Sequence, residues 1–594
     1  MPHSLLEQRL RQAVLQVLPD ARPDGVKVRP CPDPKHGDYQ CAALIGLAKE
    51  ARKNPRELAA AVSAAYAALR AGSGEEGVEA GLQIEIAGPG FLNFRLAPEA
   101  LLSAVLDASA SRFLEPAAAP RTVVVDFSSP NVAKPMHVGH IRSTALGDCL
   151  SRVLRALGHR VITDNHLGDW GTQFGKLIVG WKRHLHRDAL ERDPIAELER
   201  LYKLENAAGE ADPARLDQAR QELVALQAGD PENLAIWREM IRLSQAQFDA
   251  LYGRLGVTFD HTLGESFYNP QLPGVVESLV SRGIARESEG AVAVFSDHTL
   301  PAKEDPFLVH RDGAWADDPA LVRKSDGGFN YTTTDLATLE YRIRTWAPEE
   351  ILYVVDDRQA PHFRKLFQIF RRWQPEAEAR TVLRHIGFGK ILGDDGKPFK
   401  TRSGDTVRLA ELLDEAVERA RKLVDEKRPE LPPETRGEIA RIVGTGAVKY
   451  QDLLPNRQSD YIFSWDKMLA LTGNTSPYLQ YQCTRARKVV ADGGAVDIAA
   501  LRGVTPTEPA EVALLKHLLL YGLTLESVAA ECRPNYLCNY LYDLAGHYSR
   551  FYESCPVLKA PEPVRSLRLA LCGFTARVLS HGLGLLGIES PELM

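Results

Sequence analysis

Metal-binding cysteine motifs are absent from this chain of 594 residues. Its eight cysteines are scattered, with no C-x-x-C pair and no Cys/His cluster at zinc spacing. They stand at positions 31, 41, 149, 483, 532, 538, 555 and 572. We therefore expect reduced thiols in a reducing compartment, and no tightly bound metal.

The sequence pattern also lacks a targeting segment and a membrane span. Residues 1–18 place apolar residues at helical spacing between charged ones, without the continuous apolar core of a signal peptide. The most apolar late stretch, residues 569–588, contains Arg577 and His581 and is typical of a buried helix. These patterns predict a cytoplasmic protein that makes no membrane contact.

Basic residues are not in excess, because 72 Lys and Arg stand against 78 Asp and Glu and give a formal charge of −6. This balance excludes an evenly basic coat for nucleic acid, although a local basic patch is still compatible with RNA binding. Apolar residues make up 44% and charged residues 25%, as is ordinary for a soluble globular protein. The length exceeds what one hydrophobic core usually serves, so we expect about three or four domains.

The most informative segment runs from Val123 to Gly147 and reads VVVDFSSPNVAKPMHVGHIRSTALG. A buried-strand pattern leads through a polar loop into a helix that is predicted to start near His137. Gly139 leaves room for a large ligand to approach the backbone. A helix N-terminus at the carboxyl edge of a parallel sheet binds anions, so phosphate is the expected ligand.

Three side chains of this segment can serve a phosphate. His137 and His140 lie one helical turn apart and can both act as hydrogen-bond donors, and Lys134 supplies a positive charge. The alternative is that the two histidines only cap or pack the helix. The short His-x-Gly-His pattern does not decide between these interpretations by itself.

A longer segment carries a family resemblance. Residues 128–144, SSPNVAKPMHVGHIRST, resemble the nucleotide-binding signature of class I aminoacyl-tRNA synthetases, in the form used by arginyl-tRNA synthetases. Further collinear matches are His166–Gly175, Phe259-Asp260, Gly264–Ser266, Ser325–Gly328, Tyr331–Asp335, Asp357–Gln359 and His362-Phe363. The resemblance implies a monomeric enzyme that activates L-arginine with ATP and Mg²⁺ and transfers it to tRNA(Arg). It implies no tightly bound metal or organic cofactor.

The predicted fold is multidomain α/β. Residues 1–115 read as an α+β module, which by resemblance contacts tRNA. Residues 121–390 alternate strands and helices as in a Rossmann-type, doubly wound catalytic domain, with helices inserted at about 181–255. Residues 391–465 form a signature-loop and helical connecting region, and residues 466–594 form an all-α helix bundle that resembles an anticodon-binding domain.

Two regions carry candidate tRNA contacts. In the N-terminal module, alternation along the strand 91–96 puts Phe91 and Asn93 on one face, which suits an unpaired base, or else meets only solvent. In the bundle, Arg533 and Tyr536 belong to a run of interleaved basic and aromatic residues. Most of the aromatics in that run are expected to be core.

By resemblance, Lys134, His137, Gly139 and His140 bind ATP. The segment 396–404, GKPFKTRSG, corresponds to the K-M-S-K-S loop of the class, but Pro398 stands where the first lysine is expected. Lys397, Lys400 and Arg402 therefore offer charge at a different spacing, and Lys134 is implied to compensate. The candidate catalytic residues are therefore Lys134, His137, His140, Lys397 and Lys400. A charged surface loop is the alternative.

Arginine carries a guanidinium that is always protonated, so a selective pocket needs carboxylates and neutral acceptors. The resemblance implies that Tyr331, Asp335 and Gln359 line the pocket. It also implies that Ser129, Asn131 and His140 hold the backbone end of the amino acid, with Asp126 and Glu265 as weaker candidates. A helix cap or a surface ion pair is the alternative for each carboxylate.

Two other functions compete with arginyl-tRNA synthesis. Another class I synthetase is one of them, although a cysteinyl enzyme would favour a thiolate-metal site and a glutamyl enzyme would need cationic groups in its pocket. A non-catalytic RNA-binding paralogue is the other. The intact Lys134, His137, Gly139 and His140 argue against the paralogue.

Overall fold

A computed structural model of the chain describes residues 1–33, 35–73, 77–393, 395–399 and 407–594. It contains an N-terminal module, a central parallel-sheet domain and a helical C-terminal part. This architecture confirms the predicted multidomain α/β class with a C-terminal helix bundle.

The N-terminal module is an antiparallel sheet, in the order β1-β2-β4-β3, covered by helices. Tyr39, Tyr66, Leu92 and Phe94 belong to its buried core. The elements are α1 (Pro2–Val17), β1 (Arg29–Pro30), β2 (Tyr39–Cys41), α2 (Ala43–Glu50), α3 (Pro55–Ser73), β3 (Gln83–Ala87), β4 (Phe91–Arg95) and α4 (Pro98–Ala110).

One face of β4 differs from the sequence-based expectation. Phe91 is half-buried, whereas Asn93 is only 3% exposed. The loop through Gly37 covers this face, and a Cβ added to Gly37 would lie 3.5 Å from the Cβ of Asn93. The expectation that Asn93 faces outward beside Phe91 is therefore wrong, because strand alternation gives no sign of a loop that folds back over the sheet.

The central domain is built on a five-stranded parallel sheet in the order β14-β13-β5-β6-β7. The chain enters at the middle strand β5, builds outward to one side and returns to the other, so the sheet is doubly wound. Its strands are β5 (Thr122–Asp126), β6 (Arg160–Asn165), β7 (His261–Thr262), β13 (Glu350–Tyr353) and β14 (Val382–His385). The switch point between β5 and β13 is where such sheets bind ligands.

Helices and a small antiparallel insertion surround this sheet. The inserted helices begin near residue 173, somewhat before the predicted 181. The helices are α5 (Val138–Ala156), α6 (Gln173–His184), α7 (Arg187–Arg192), α8 (Pro194–Ala211), α9 (Pro213–Gln227), α10 (Pro231–Leu255), α11 (Glu265–Tyr268), α12 (Leu272–Ser281), α13 (Tyr331–Trp346), α14 (Ala360–Trp373) and α15 (Pro375–Glu378). The insertion, which the sequence analysis did not predict, comprises β8 (Ala285–Ser288), β9 (Ala291–Val294), β10 (Leu308–Arg311), β11 (Ala314–Asp317) and β12 (Ala320–Arg323).

In the residues that the structure describes, the C-terminal part is helical apart from one short strand pair and its connecting loops. The elements are β15 (Ile391–Leu392), α16 (Leu409–Lys427), α17 (Pro433–Leu453), β16 (Tyr461–Ile462), α18 (Trp465–Met468), α19 (Ser476–Gly493), α20 (Pro509–Leu518), α21 (Tyr521–Glu531), α22 (Asn535–Ser554) and α23 (Val564–Leu585). The segment Pro509–Glu531 is apolar enough to cross a membrane, with a mean hydropathy of 1.4. It covers two separate helices and half of it is buried inside the protein, as is typical of a bundle core.

A buried ion cluster ties α13 to the carboxyl edge of the sheet. Arg342, which is fully buried, donates to Asp126 at the end of β5 over 2.7 Å and to Asp164 on β6 over 2.8 Å. Because Arg342 and Asp335 both lie on α13, the cluster also fixes the N-terminal half of that helix above the sheet edge.

Arg342→Met tests the strength of this cluster, because it leaves two buried carboxylates without a countercharge. We expect the free energy of unfolding of the central domain to fall by about 3–5 kcal/mol. Arg220, which pairs with Asp217 on the surface, provides the matched control, and Arg220→Met should cost less than about 1 kcal/mol. Urea unfolding followed by tryptophan fluorescence measures both, and equal small losses would contradict a structural role for the cluster.

Candidate active site

The N-terminus of α5 carries a capping box made of two histidines. His137 is the N-cap, and its Nδ1 accepts the backbone N–H of Gly139 over 3.1 Å. The Nδ1 of His140 accepts the backbone N–H of His137 over 3.0 Å, and the two ring centroids lie 4.0 Å apart. With Nδ1 accepting, each neutral ring carries its proton on Nε2, and no described residue hydrogen-bonds either Nε2. The histidines therefore cap the helix and still offer two donors.

Both histidines are uncharged at neutral pH. Burial, followed by repulsion from His137 when that ring is protonated, lowers the pKa of His140 to about 3. Burial and the nearby Arg358 lower the pKa of His137. The helix terminus therefore offers N–H dipoles, and positive charge has to come from other residues.

Lys134 provides such a charge. Its ammonium lies 5.1 Å from the ring centroid of Tyr202, and the described residues place no carboxylate within 4.0 Å of it. Lys176 approaches the same ring at 5.9 Å but donates to Asn206 over 2.6 Å. Lys134 is thus held by an aromatic face without being neutralised, and its charge remains available to a phosphate.

The loop between β5 and α5 is held in a strained conformation. Ser128, Ser129 and Ala133 have positive φ angles of 73°, 47° and 61°. Hydrogen bonds fix the loop, since Ser128 N donates to Ser143 Oγ over 2.8 Å and Ser129 N donates to Asn165 Oδ1 over 3.0 Å. Backbone strain of this kind persists only where the surroundings enforce it, and it clusters at functional sites.

A carboxylate pocket lies at the N-terminal end of α13. Asp335 Oδ2 is 2.6 Å from His362 Nε2, and the Tyr331 ring contacts the His362 ring edge-on at 4.8 Å. Tyr331 is 57% exposed and the side chain of Asp335 is 27% exposed, so both can meet a ligand. His362 joins this pocket although the sequence analysis gave it no role. Its spacing of three residues from Gln359 was the available signal.

Glu265 is the second carboxylate of the pocket. Burial, then the charges of Asp335 and Asp169, raise the pKa of Glu265 to about 8. Asp169 accepts hydrogen bonds from Ser266 N over 2.8 Å and from Ser266 Oγ over 2.6 Å. A Cβ on Gly264 would lie 2.1 Å from Asp169 Oδ2, so only glycine lets these loops meet. The loop of Asp169 and the segment Gly264–Ser266 therefore pack against each other and fix the position of Glu265.

The other predicted arginine-site residues lie along the same sheet edge. Gln359 is exposed at the N-cap of α14, and Ser129 Oγ donates to Asp126 Oδ1 over 3.1 Å. Asn131 is exposed in the loop after β5, against Gly168. Asp126 was expected as a weaker candidate for the arginine site. In the structure its carboxylate already accepts hydrogen bonds from Arg342 and Ser129.

The segment that corresponds to the class signature loop is partly described. The described residues 391–393 and 395–399 approach each other as a hairpin, in which Gly393 N donates to Lys397 O over 2.8 Å and Phe399 N donates to Ile391 O over 3.0 Å. Lys397 is exposed on this hairpin. Further along, Val138 N donates to Val407 O over 2.9 Å, which brings the chain back to the histidine motif. Lys400 and Arg402 lie outside the described residues.

The bundle presents an aromatic and basic surface that the sequence analysis assigned only in part. Arg533 donates to the Tyr536 hydroxyl over 2.9 Å, and both are partly exposed. On α19 and α22, the Arg485 guanidinium lies 3.9 Å from the ring centroid of Tyr552, and Tyr481 and Tyr552 are 44% and 37% exposed. Tyr481 and Arg485 lie on α19, outside the run of aromatic residues on α22 that the sequence pattern indicates.

Comparison with known proteins decides the family. The family described as "tRNA synthetases class I (R), catalytic domain" matches residues 102–465, "DALR anticodon binding domain" matches residues 479–594, and "Arginyl tRNA synthetase N terminal domain" matches residues 4–96. The chain belongs to the arginyl-tRNA synthetase family.

Relatives and solved structures agree with this assignment. Proteins named arginine–tRNA ligase from Frankia casuarinae and Chromobacterium violaceum are each 44% identical, over 99% and 100% of this chain and 98% and 100% of their own length. The arginyl-tRNA synthetase structure from Thermus thermophilus superposes with a TM-score of 0.81 at 26% identity, covering 100% of both chains. The Plasmodium falciparum enzyme gives 0.78 at 25% identity, covering 100% of this chain and 99% of its own. The predicted family is therefore confirmed.

Proposed function

We propose that this synthetase activates L-arginine with ATP and then transfers it to tRNA(Arg). In the first step a carboxylate oxygen of arginine attacks the α-phosphorus, and the bond to pyrophosphate breaks. In the second step a hydroxyl of the 3′-terminal adenosine attacks the activated carbonyl and AMP leaves. The observation that carries the proposal is the carboxylate pocket of Asp335 and Glu265 at the same sheet edge as the His137/His140 helix terminus.

The pocket suits a guanidinium. The charge of Asp335 helps to raise the pKa of Glu265, so charge on Glu265 is disfavoured until a cation enters beside them. A guanidinium satisfies both, because its planar fork donates to several acceptors at once. Tyr331 and Gln359 add neutral hydrogen-bonding groups at the exposed side of the pocket. Ser129, Asn131 and His140 then hold the amino and carboxylate end of the amino acid.

The nucleotide side works by donors and positive charge. Gly139 permits a phosphate to approach the first turn of α5, where His137 and His140 donate from Nε2. Lys134 supplies charge from one side and Lys397 from the hairpin, and we keep Lys400 and Arg402 as further phosphate contacts. We expect Mg²⁺ to enter with the phosphates of ATP.

We also propose the functions of the flanking parts. Residues 1–115 and 466–594 hold tRNA, while residues 121–390 and 391–465 carry the catalytic domain and its connecting region. The exposed Tyr481, Tyr552 and Arg485 support the bundle's contact with unpaired bases, and Arg533, Tyr536 and Phe91 are further candidates. The protein acts as a cytoplasmic monomer.

Lys134→Ala should slow adenylate formation on the order of a hundredfold, because losing one group placed at developing phosphate charge costs on the order of 3 kcal/mol. Lys176→Ala is the matched control, since Lys176 approaches the same Tyr202 ring but is paired with Asn206. Single-turnover adenylate formation in the presence of tRNA measures both. Equal rates for the two variants would remove Lys134 from the ATP site.

Asp335→Asn should reduce arginine use by about thirtyfold to several thousandfold while leaving ATP binding nearly unchanged. The substitution keeps the shape but removes the charge that a desolvated guanidinium requires, at a cost of roughly 2–5 kcal/mol. Asp318→Asn is the control, because Asp318 pairs with Lys365 on α14 at the surface. Michaelis constants and turnover for both substrates test this, and a loss below about fivefold for arginine would make Asp335 a surface carboxylate.

Arginine binding should tighten as pH rises through about 8, the pKa of Glu265 in the empty pocket. Below that pH the Glu265 carboxyl is protonated, and a guanidinium prefers the charged form that appears above it. The KM for arginine should therefore fall between pH 6.5 and 9. Glu265→Gln should make the KM for arginine less dependent on pH. The same variant controls for titration of the amino acid itself. A KM that is independent of pH in the parent would contradict this role.

A further inference from the structure

Arg142 links the histidine helix to the strand pair that leads into the signature hairpin. It lies on α5, two residues after His140, and is 1% exposed. Its Nε lies 3.1 Å from Oδ1 of Asp452, which is in the last turn of α17 and fully buried. Its Nη1 donates to the carbonyl of Ser459 over 3.2 Å, and its guanidinium lies 5.1 Å from the ring centroid of Tyr461.

These contacts converge on β16. Tyr461, the first residue of that strand, donates its hydroxyl to Asp452 Oδ1 over 3.2 Å. The strand pairs in parallel with β15, through Tyr461 N to Lys390 O over 3.1 Å and Phe463 N to Leu392 O over 2.9 Å. Beyond β15 the chain forms the hairpin that carries Lys397. Phe399 closes this hairpin against Phe463, with ring centroids 4.7 Å apart.

A second buried ion pair between the same helices shows what is particular to Arg142. Lys449 on α17 lies 3.6 Å from Asp148 on α5, and its ammonium donates to the carbonyls of Leu255 and Gly587. Those carbonyls end α10 and follow α23, so this pair joins helices only. Both ion pairs connect α5 to α17. Only Arg142 and Asp452 also contact the β15–β16 strand pair, which leads into the hairpin of Lys397.

We propose that Arg142 and Asp452 are positioning residues for adenylate formation, which set the Lys397 hairpin at a fixed distance from the His137/His140 helix terminus. This inference rests on the proposed ATP contact of Lys397. A buried, hydrogen-bonded group that touches both elements can fix their spacing without touching the substrate.

Asp452→Asn and Asp148→Asn test the proposal as a matched pair in the full-length enzyme with tRNA present. Asp452→Asn should lower the rate of adenylate formation by at least about tenfold, with the KM for arginine unchanged. Asp148→Asn, which removes the same charge from the other pair, should stay within about threefold of the parent even where it lowers the melting temperature. Equal effects of the two on turnover would overturn the proposal. Tyr461→Phe, which removes only one hydroxyl, should slow the same step and serves if Asp452→Asn does not fold.

A double-mutant cycle with Lys397→Ala separates positioning from general destabilisation. If the network acts through the hairpin, Asp452→Asn or Tyr461→Phe should cost at least about threefold less in the Lys397→Ala background than in the parent. If the rate losses of the two substitutions multiply fully, the positioning role is contradicted, whereas the ATP contact of Lys397 is not. An unchanged rate for Lys397→Ala by itself would contradict the ATP contact of Lys397, and the inference with it.

Discussion

The ion cluster of Arg342 with Asp126 and Asp164 is the interaction on which the substrate site depends. It joins the ends of two neighbouring parallel strands to α13 in a buried region. A buried pair of this kind adds little net stability, but its geometry is strict because each charge needs its partner. Asp126 also accepts from Ser129, so the cluster fixes the strained loop on one side and the helix of Asp335 on the other. The same ion cluster therefore positions both the loop after β5 and the helix that carries Asp335.

Electrostatics divides the site into two halves. Carboxylates gather where α11 and α13 begin, and Gly264 allows Asp169 to approach so closely that Glu265 is held in place. The other half has neutral histidines, a helix N-terminus and an unneutralised lysine. In the proposed function, a cationic side chain and a polyanionic nucleotide are drawn to opposite ends of one sheet edge. In this proposal, the separation lets the amino-acid carboxylate meet the α-phosphate between the two halves.

The sequence predicted this site where local pattern and tertiary structure agree. The strand β5 and the start of α5 follow from short-range periodicity, and the structure has them so, whereas Tyr331 and Asp335 were implied by the family resemblance. Local sequence pattern failed to predict contacts between residues that are far apart in the chain. Asn93 is covered by a loop from residue 37, Asp126 is engaged by Arg342 from 216 positions away, and His362 reaches Asp335 across 27 positions. The strands of the 285–323 insertion are too short to give a clear alternation.

Amino-acid selection is the central claim, and pyrophosphate exchange with each of the twenty amino acids in the presence of tRNA tests it most directly. Two carboxylates around one guanidinium predict that arginine alone supports strong exchange. Lysine should be used far less, because an ammonium cannot engage both carboxylates through a planar fork. Exchange that is equally fast with lysine, or that prefers an uncharged amino acid, would contradict the account.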